Sequence, residues 1–335
     1  MAKGKRLAGK SSGAGRGKKL VVLIPAFNEE RTIGSVIRAV PRRLKGILDV
    51  RILVVDDGST DSTAERAGKA KADKIVSHPF NKGLGIAFKT GIETALKMKA
   101  DIVVNIDADA QFDPRDIEKL LKPILSGKAD MVTCSRFKDK RLEPKMPFIK
   151  KFGNSLFTKS INWFTGSKFT DTQCGFRAYT REACLRLNLF ARFTYTQETM
   201  IDLLHKGMRI EEVACKVQGE RKGKSRIVKH WWTYGLRAML IVIRTLRDHK
   251  PLRFFGGMGA AVFLLGALAA LWLWLRLLIE HRVDPFMWVA YAAITLMILG
   301  FLLIVLALVA DMLDRQRKIQ EEILYRMRKR EMGEE

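Results

Sequence analysis

Acidic residues are scarce: 35 Asp and Glu stand against 60 Lys and Arg in 335 residues, a net charge of +25. Such an imbalance points to an anionic partner, and both nucleic acid and an anionic membrane surface fit it. Histidine is also sparse. The five, at 78, 205, 230, 249 and 281, lack ligand spacing, so no chemistry is assigned to them. Four cysteines, Cys134, Cys174, Cys184 and Cys215, form no C-x-x-C pair and are predicted to be reduced, mostly buried thiols rather than zinc ligands or disulfide partners. Residues 1–19 hold seven basic residues, no acid and almost nothing apolar, which predicts a disordered basic tail. No apolar stretch follows that tail, so no secretory signal is predicted.

Long apolar runs, by contrast, are present. FFGGMGAAVFLLGALAALWLWL (254–275) is uncharged for 22 residues and FMWVAYAAITLMILGFLLIVLALVA (286–310) for 25. Each is long enough to cross a hydrocarbon core of about 30 Å. The short linker between them predicts a transmembrane hairpin within residues 253–310. These runs favour the membrane over nucleic acid as the anionic partner. Lys250 and Arg253 precede the first span and Arg315, Arg317 and Lys318 follow the second, while the linker carries both signs. The bias places the N-terminal bulk and both termini in the cytoplasm of an integral membrane protein. Before the hairpin, residues 227–252 set Trp231, Trp232 and Tyr234 beside basic residues and then run amphipathically, a pattern for interfacial helices. After it, 311–335 reads as a cytoplasmic helix. Ile319, Ile323 and Met327 at helical spacing would suit a homo-oligomer, and a single solvated helix fits equally.

From Leu20 to about Val217 short β-branched runs alternate with helical patterns, which predicts an α/β domain over 20–226 with a largely parallel sheet. Strands are predicted at 20–25, 51–57, 74–78, 101–107, 130–135 and 210–217. Helices are expected near 31–40, 61–70, 84–98, 114–125, 149–165, 181–188 and 197–206. Ligands of such sheets sit beyond the carboxyl ends of the strands. Here those ends read PAFNEE (25–30), DDGSTD (56–61) and DADAQF (107–112). Glu29, Asp56, Asp57, Asp107 and Asp109 would then face one crevice, where five carboxylates repel unless a cation or hydrogen-bond donors lie among them. Hard oxygen ligands favour Mg2+ or Mn2+, and Mg2+ is commonly held by one or two carboxylates plus substrate phosphates. A D-x-D pair alone is weak, and plain turns and helix caps account for Asp56, Asp57 and Asp61 as well.

PAFNEE, DDGSTD, NKGLG (81–85), DADAQF, SRF (135–137) and DTQCGFRAY (171–179) together resemble family 2 glycosyltransferases of the GT-A fold. Within that family they are similar to the polyprenyl-phosphate (dolichyl-phosphate) mannosyl- and glucosyltransferases. The resemblance spans about residues 20–230. It implies a GT-A, Rossmann-like domain that moves a hexose from a UDP- or GDP-sugar to a polyprenyl phosphate with inversion, using Mg2+ or Mn2+. Carried over motif by motif, Pro25, Phe27, Glu29, Asp56 and Asp57 would bind the nucleotide, and Asp107, Asp109 and Gln111 the metal and diphosphate. Asp171 would stand beside the anomeric centre, as a base or as a group orienting the sugar. Glu198 would contact sugar, or simply complement its helix dipole.

A lipid monophosphate needs no base near neutral pH, since its second ionisation lies near about 6. Its attack depends on positioning and on cations. The resemblance assigns that role to Arg136, Lys151, Arg177, Arg221, Ser225 and Arg226. The chain departs from the family where Cys134 replaces a usual Gly, where Lys151 stands for an Arg, and where Arg221 is shifted by one position. Lys lacks the bidentate fork of Arg. Processive family members usually carry a Q-x-x-R-W motif and this chain does not, which counts against transfer to a growing polysaccharide or a lipid hydroxyl. A sugar-phosphate nucleotidylyltransferase would show a glycine-rich N-terminal phosphate loop, whereas PAFNEE has no glycine. A non-enzymatic basic protein binding membrane or nucleic acid leaves the acidic strand ends unexplained.

Overall fold

The computed structural model describes residues 17–144, 148–189, 195–217, 251–281 and 284–333. It divides into two compact units, one holding all the strands and most of the short helices, the other holding one mid-chain helix and the two long C-terminal ones.

The first unit is built on a seven-stranded sheet: β1 (Lys18–Ala26), β2 (Ile47–Asp56), β3 (Lys74–Ser77), β4 (Ile102–Asn105), β5 (Met131–Ser135), β6 (Arg177–Thr180) and β7 (Ile210–Ala214). The spatial order is β3-β2-β1-β4-β6-β5-β7. Buried runs such as LVVLIPA and IVVN show no polar alternation, as expected of strands covered on both faces. Crossovers are made by α1 (Ile33–Ala39), α2 (Thr63–Lys69), α3 (Leu84–Lys97) and α4 (Ile117–Leu125). The α4 helix enters through the 3-10 turn Pro114–Asp116, with Asp113 accepting from the Arg115 amide. Two further helices, α6 (Arg181–Arg186) and α7 (Tyr195–His205), complete the unit; α5 (Phe148–Thr165) belongs to the other.

Strand β6 was not expected from the sequence. It runs antiparallel between β4 and β5, with Arg177 opposite both Asn105 and Thr133. A four-residue strand, RAYT, has too little length to show a period. Its direction has a consequence. β1, β2, β4, β5 and β7 all end at one edge of the sheet, and β6 begins there, so Asp171 to Phe176 approach the same edge.

Strand β4 stops at Asn105, short of the predicted 107. The Ile106 amide still donates to the Leu23 carbonyl (3.0 Å), and Asp107 lies beyond the ladder. Cys134 and Cys215 were expected as thiols but form a disulfide with their Cα atoms 5.7 Å apart. β5 and β7 are adjacent parallel strands with Ser135 opposite Ala214, and the Cys215 amide donates to the Ser135 carbonyl (3.2 Å), which holds the residue just past β7 within reach of Cys134. Cys174 and Cys184 are free and buried, as predicted, and burial first of all pushes the Cys174 thiol up to about 12.

In the second unit α8 (Pro251–Glu280) and α9 (Met287–Glu331) form a helical hairpin. Both are long and apolar enough to cross a membrane. Small residues bring them together, since a Cβ on Gly300 would stand 2.5 Å from the Phe263 amide nitrogen. The helix α9 continues unbroken past 310, so the expected span and C-terminal helix are one element. Its polar part carries i,i+4 pairs such as Arg315–Asp311 and Lys318–Asp314.

Candidate active site at the carboxyl edge of the sheet

Pro25 sits inside β1 opposite Val55 without breaking the sheet, because the β1–β4 ladder ends at Leu23 and Asn105. The chain then turns at Asn28, which adopts φ 55°, a region Asn tolerates. This turn is tied to the DDGSTD loop. The Asn28 amide donates to Ser59 Oγ (2.9 Å), the Thr60 amide to Asn28 Oδ1 (2.9 Å), and the Glu29 amide to Thr63 Oγ1 (2.9 Å). Asp61 accepts from the Glu30 and Thr63 amides. Burial would raise its carboxyl pKa, but the accepted bonds from Thr63 and Glu30 prevail and lower it. Much of DDGSTD is therefore loop scaffold.

The two adjacent aspartates have different tasks. Asp57 is buried and consumed by its own chain: it pairs with His78 Nδ1 (2.7 Å) and accepts the Lys82 and Gly83 amides (3.0 and 2.8 Å) at the start of α3. His78 Nε2 continues to Thr90 Oγ1 (3.1 Å). Asp57, predicted as a nucleotide contact, is thus engaged in supporting its own chain, and His78 has a structural task that spacing alone did not suggest. Asp56 accepts only the Ser59 amide (3.2 Å), and its second oxygen has no partner among the described residues. Glu29 Oε2 accepts from Thr32 Oγ1 (2.9 Å), and Phe27, two residues earlier, is half-buried.

Beyond β4 the turn 107–111 is closed by the Gln111 amide donating to Asp109 Oδ1 (3.1 Å), with Ala110 left-handed at φ 59°. Phe112 anchors it by packing on Phe176 with ring centroids 5.5 Å apart. Asp107, Asp109 and Gln111 remain partly exposed. Gly175 lies against the Asp107 carboxylate: a Cβ there would stand 2.9 and 3.1 Å from its two oxygens and 2.8 Å from the Tyr195 hydroxyl. Asn105 fixes both neighbours, donating from Nδ2 to the Gly175 carbonyl and the Tyr195 hydroxyl, each at 2.9 Å. Burial first, then the charge of Asp107, pushes the Tyr195 phenol well above its ordinary pKa and keeps it protonated.

Past β5, Arg136 and Asp171 are engaged with each other. The guanidinium donates from Nε to Oδ2 (2.6 Å) and from Nη2 to Oδ1 (3.0 Å), and the Arg136 amide also donates to Oδ2 (3.2 Å). With the Gln173 amide (3.1 Å), Asp171 accepts four hydrogen bonds while wholly buried. Burial lowers the Arg136 pKa, but bonding to and attraction by Asp171 outweigh it, helped by Asp107, and the net shift is upward. Arg136 follows β5 and the 107–111 turn follows β4, so both lie at the same edge of the sheet. Its remaining terminal nitrogen, Nη1, has no hydrogen-bond partner among the described residues. Asp171 therefore holds an arginine and is not set up as a base.

Arg177 is fully buried and donates to the carbonyls of Thr172 and Thr196 and to Thr199 Oγ1, so it braces the 171–176 loop against α7 instead of facing a phosphate. Its position on β6 decides this, and β6 was not foreseen. Lys151 is exposed on α5 in the second unit. Glu198 is partly exposed in the first turn of α7. Arg221, Ser225 and Arg226 lie outside the described residues, as do the interfacial helices expected at 227–250.

Among the described residues no three His, Cys, Asp or Glu form a ready-made metal cage. What remains is a pair, Asp107 and Asp109, with Gln111 on the same turn and a glycine keeping Asp107 clear of a Cβ. That donor set fits a hard divalent ion that brings most of its ligands as phosphate and water.

Comparisons with known proteins bear on this edge. The profile described as Glycosyl transferase family 2 matches residues 21–187. A UDP-N-acetylglucosamine–dolichyl-phosphate N-acetylglucosaminyltransferase of Methanococcus voltae is 32% identical over 219 residues, covering 59% of this chain and 85% of that protein. A dolichyl-phosphate hexose transferase of Haloferax volcanii is 31% identical over 208 residues, 62% of this chain and 86% of that one. Among solved structures, glucosyl-3-phosphoglycerate synthase of Mycobacterium tuberculosis with Mn2+, uridine diphosphate and phosphoglyceric acid is 25% identical with a TM-score of 0.52, covering 69% of this chain and 78% of that one.

Proposed function

The chain belongs to glycosyl transferase family 2 and is a glycosyltransferase; on that premise we propose that it transfers a hexose from a UDP- or GDP-sugar to a polyprenyl phosphate, with inversion, at the cytoplasmic face of a membrane. The observation that carries the reading is that one sheet edge bears both the Asp107–Gln111 turn, past β4, and, past β5, an arginine whose guanidinium is fixed by Asp171 with no hydrogen-bond partner at Nη1 among the described residues. The dolichyl-phosphate relatives support the acceptor, and the two membrane-length helices favour a lipid over a soluble phosphate.

In this reading Phe27, Glu29 and Asp56 bind the nucleoside, and the Asn28–Thr60 lattice keeps their loop in shape. Asp107, Asp109 and Gln111 would hold Mg2+ or Mn2+, which neutralises the departing diphosphate when bound. Arg136 draws a phosphate oxygen into line. An acceptor phosphate oxygen forms the new bond to the anomeric carbon as the bond to the nucleoside diphosphate breaks on the opposite face. No proton has to be removed, because the acceptor is already anionic. The basic residues flanking the two apolar helices support a cytoplasmic position for the catalytic unit and both termini.

The deciding experiment incubates membranes containing the full chain with labelled UDP- and GDP-sugars, polyprenyl phosphate and Mg2+ or Mn2+. Label is expected in a lipid that mild acid hydrolyses. Absence of labelled lipid from every donor would overturn the proposal.

A further inference from the structure

Glu212, on the last strand, touches none of the residues assigned to the nucleotide or metal, yet it is spent entirely on the segment that carries Asp171. Its Oε1 accepts the amides of both Thr170 and Asp171 at 2.9 Å. Its Oε2 accepts the Thr170 amide at 2.9 Å and the Thr170 hydroxyl at 3.0 Å. The same hydroxyl lies 2.6 Å from Ser135 Oγ, and Ser135 Oγ accepts the amides of Phe137 and Lys138 (3.2 and 3.1 Å), the residues that follow Arg136. Lys138 Nζ closes the ring on the Glu212 carbonyl. Both sides of the Arg136–Asp171 pair are thus held by one carboxylate: the Asp171 backbone directly, the Arg136 loop through Thr170 and Ser135.

We propose that Glu212 is a positioning residue for glycosyl transfer, setting the Asp171 carboxylate at the height where it clamps the Arg136 guanidinium and leaves Nη1 toward the reacting phosphates. This deepens the proposed function and rests on its role for Arg136. Few other side chains could do the task. A loop arriving from α5 presents two consecutive amides at the sheet edge, and only a carboxylate or a carboxamide reaching across from β7 can accept both. Burial first, with the charge of Asp171, raises the Glu212 pKa above the ordinary value in spite of the bonds it accepts.

The chemistry of the contacts separates positioning from mere packing. Glu212→Gln keeps Oε1 for both amides, gives up only the second Thr170 amide contact at Oε2 and offers an NH2 to the Thr170 hydroxyl, whereas Glu212→Ala removes every acceptor. In the full chain, Glu212→Ala is expected to lower kcat about ten- to hundredfold, as small misplacements near chemistry do, with uridine or guanosine diphosphate affinity unchanged. Glu212→Gln should stay within about threefold of the parent, because both amide bonds persist. In an Arg136→Ala background, Glu212→Ala should cost little more, because neighbours acting through one group are not additive. A full, independent loss in the double variant would overturn the proposal, and so would equal losses in the Gln and Ala variants.

Amide exchange gives a readout that needs no activity. The Thr170 and Asp171 amides should exchange faster in the Ala variant and remain protected in the Gln variant; unchanged protection in both refutes the contact. If no lipid product forms with the parent protein, the transfer reading fails by itself and the exchange result still decides whether Glu212 holds the loop.

Discussion

Gly175→Ala is the sharpest test of the Asp107 site, because the glycine is needed there for space alone. Gly175 is not among the residues with positive φ, so alanine meets no backbone penalty. Its Cβ would instead lie 2.9 and 3.1 Å from the Asp107 carboxylate oxygens and 2.8 Å from the Tyr195 hydroxyl. Ordinary contact begins near about 3.4 Å, so the carboxylate must retreat by about 0.5 Å. Gly175 cannot yield instead, because its carbonyl is bonded to Asn105 and the next residues enter β6. Overfilling such a site costs about 1–3 kcal/mol of stability. A shift of about 1 Å at a reacting centre can cost about a hundredfold, so half of that implies roughly a tenfold loss of kcat. Turnover in the lipid-extraction assay, read beside the melting temperature, measures the two effects separately. Adding Tyr195→Phe removes the hydroxyl clash but leaves the carboxylate clash, so it should restore stability more than turnover. Parental kcat in Gly175→Ala would show that the position of Asp107 does not matter for catalysis.

Three further outcomes follow from the site and its supports. Asp109→Asn should lower turnover by about 10²–10³-fold, the scale of losing one electrostatic contact to a developing charge, and raise the Mg2+ or Mn2+ concentration needed; a normal metal titration would exclude Asp109 as a ligand. Asp57→Ala leaves His78 and the Lys82 and Gly83 amides just before α3 without an acceptor and should cost about 2–3 kcal/mol in unfolding, whereas Asp56→Ala should weaken nucleotide affinity with little change in melting; the reverse pattern would exchange their roles. In Asp130, burial raises the carboxyl pKa but bonding to Arg209 prevails and lowers it. Its contribution is therefore present above the unfolded value of about 3.9 and is lost as pH falls through the folded one. The melting-temperature gap between the parent and Asp130→Asn should accordingly close on acidification, and a gap that widens would contradict this pairing with Arg209.

Local pattern was sufficient for the parts of the fold that repeat locally. The strands 20–25 and 51–57, the crossover helices and the two apolar spans announce themselves by composition and period, and each is present. What could not be read depends on contacts between distant segments. Strand β6 is too short to have a period, and its insertion between β4 and β5 turned Arg177 from an expected phosphate ligand into an internal brace. Asp56 and Asp57 are chemically alike in the sequence; only the approach of His78 and Gly83 distinguishes them. Glu212 sits in IEEVACKV, where an acid on an edge strand looks like surface polarity until the Thr170 loop is seen to lie against it. The Cys134–Cys215 bond spans 81 positions and needed the β5–β7 register to become visible.

The fate of Asp171 is connected to the kind of acceptor the site can use. A carboxylate serving as base must offer a lone pair to the incoming nucleophile, yet Asp171 is wholly buried and accepts bonds from Arg136 and Gln173. Freeing it would strand the Arg136 charge in a partly desolvated site, at a cost of several kcal/mol. For an alcohol acceptor that arrangement is a handicap, since the hydroxyl proton has nowhere to go. For a phosphate monoester it is an advantage: the nucleophile arrives charged, and an arginine held on one side by a buried carboxylate presents a preset donor to it without the entropy loss of a free side chain. On the proposed function the pair would favour anionic acceptors, and neutralising Asp171 as Asn should hurt use of the phosphate through loss of Arg136 alignment, not through loss of a base. A pH–rate profile distinguishes the two. Loss of a base removes the acidic limb of the profile, whereas loss of alignment lowers kcat at every pH and leaves the shape intact.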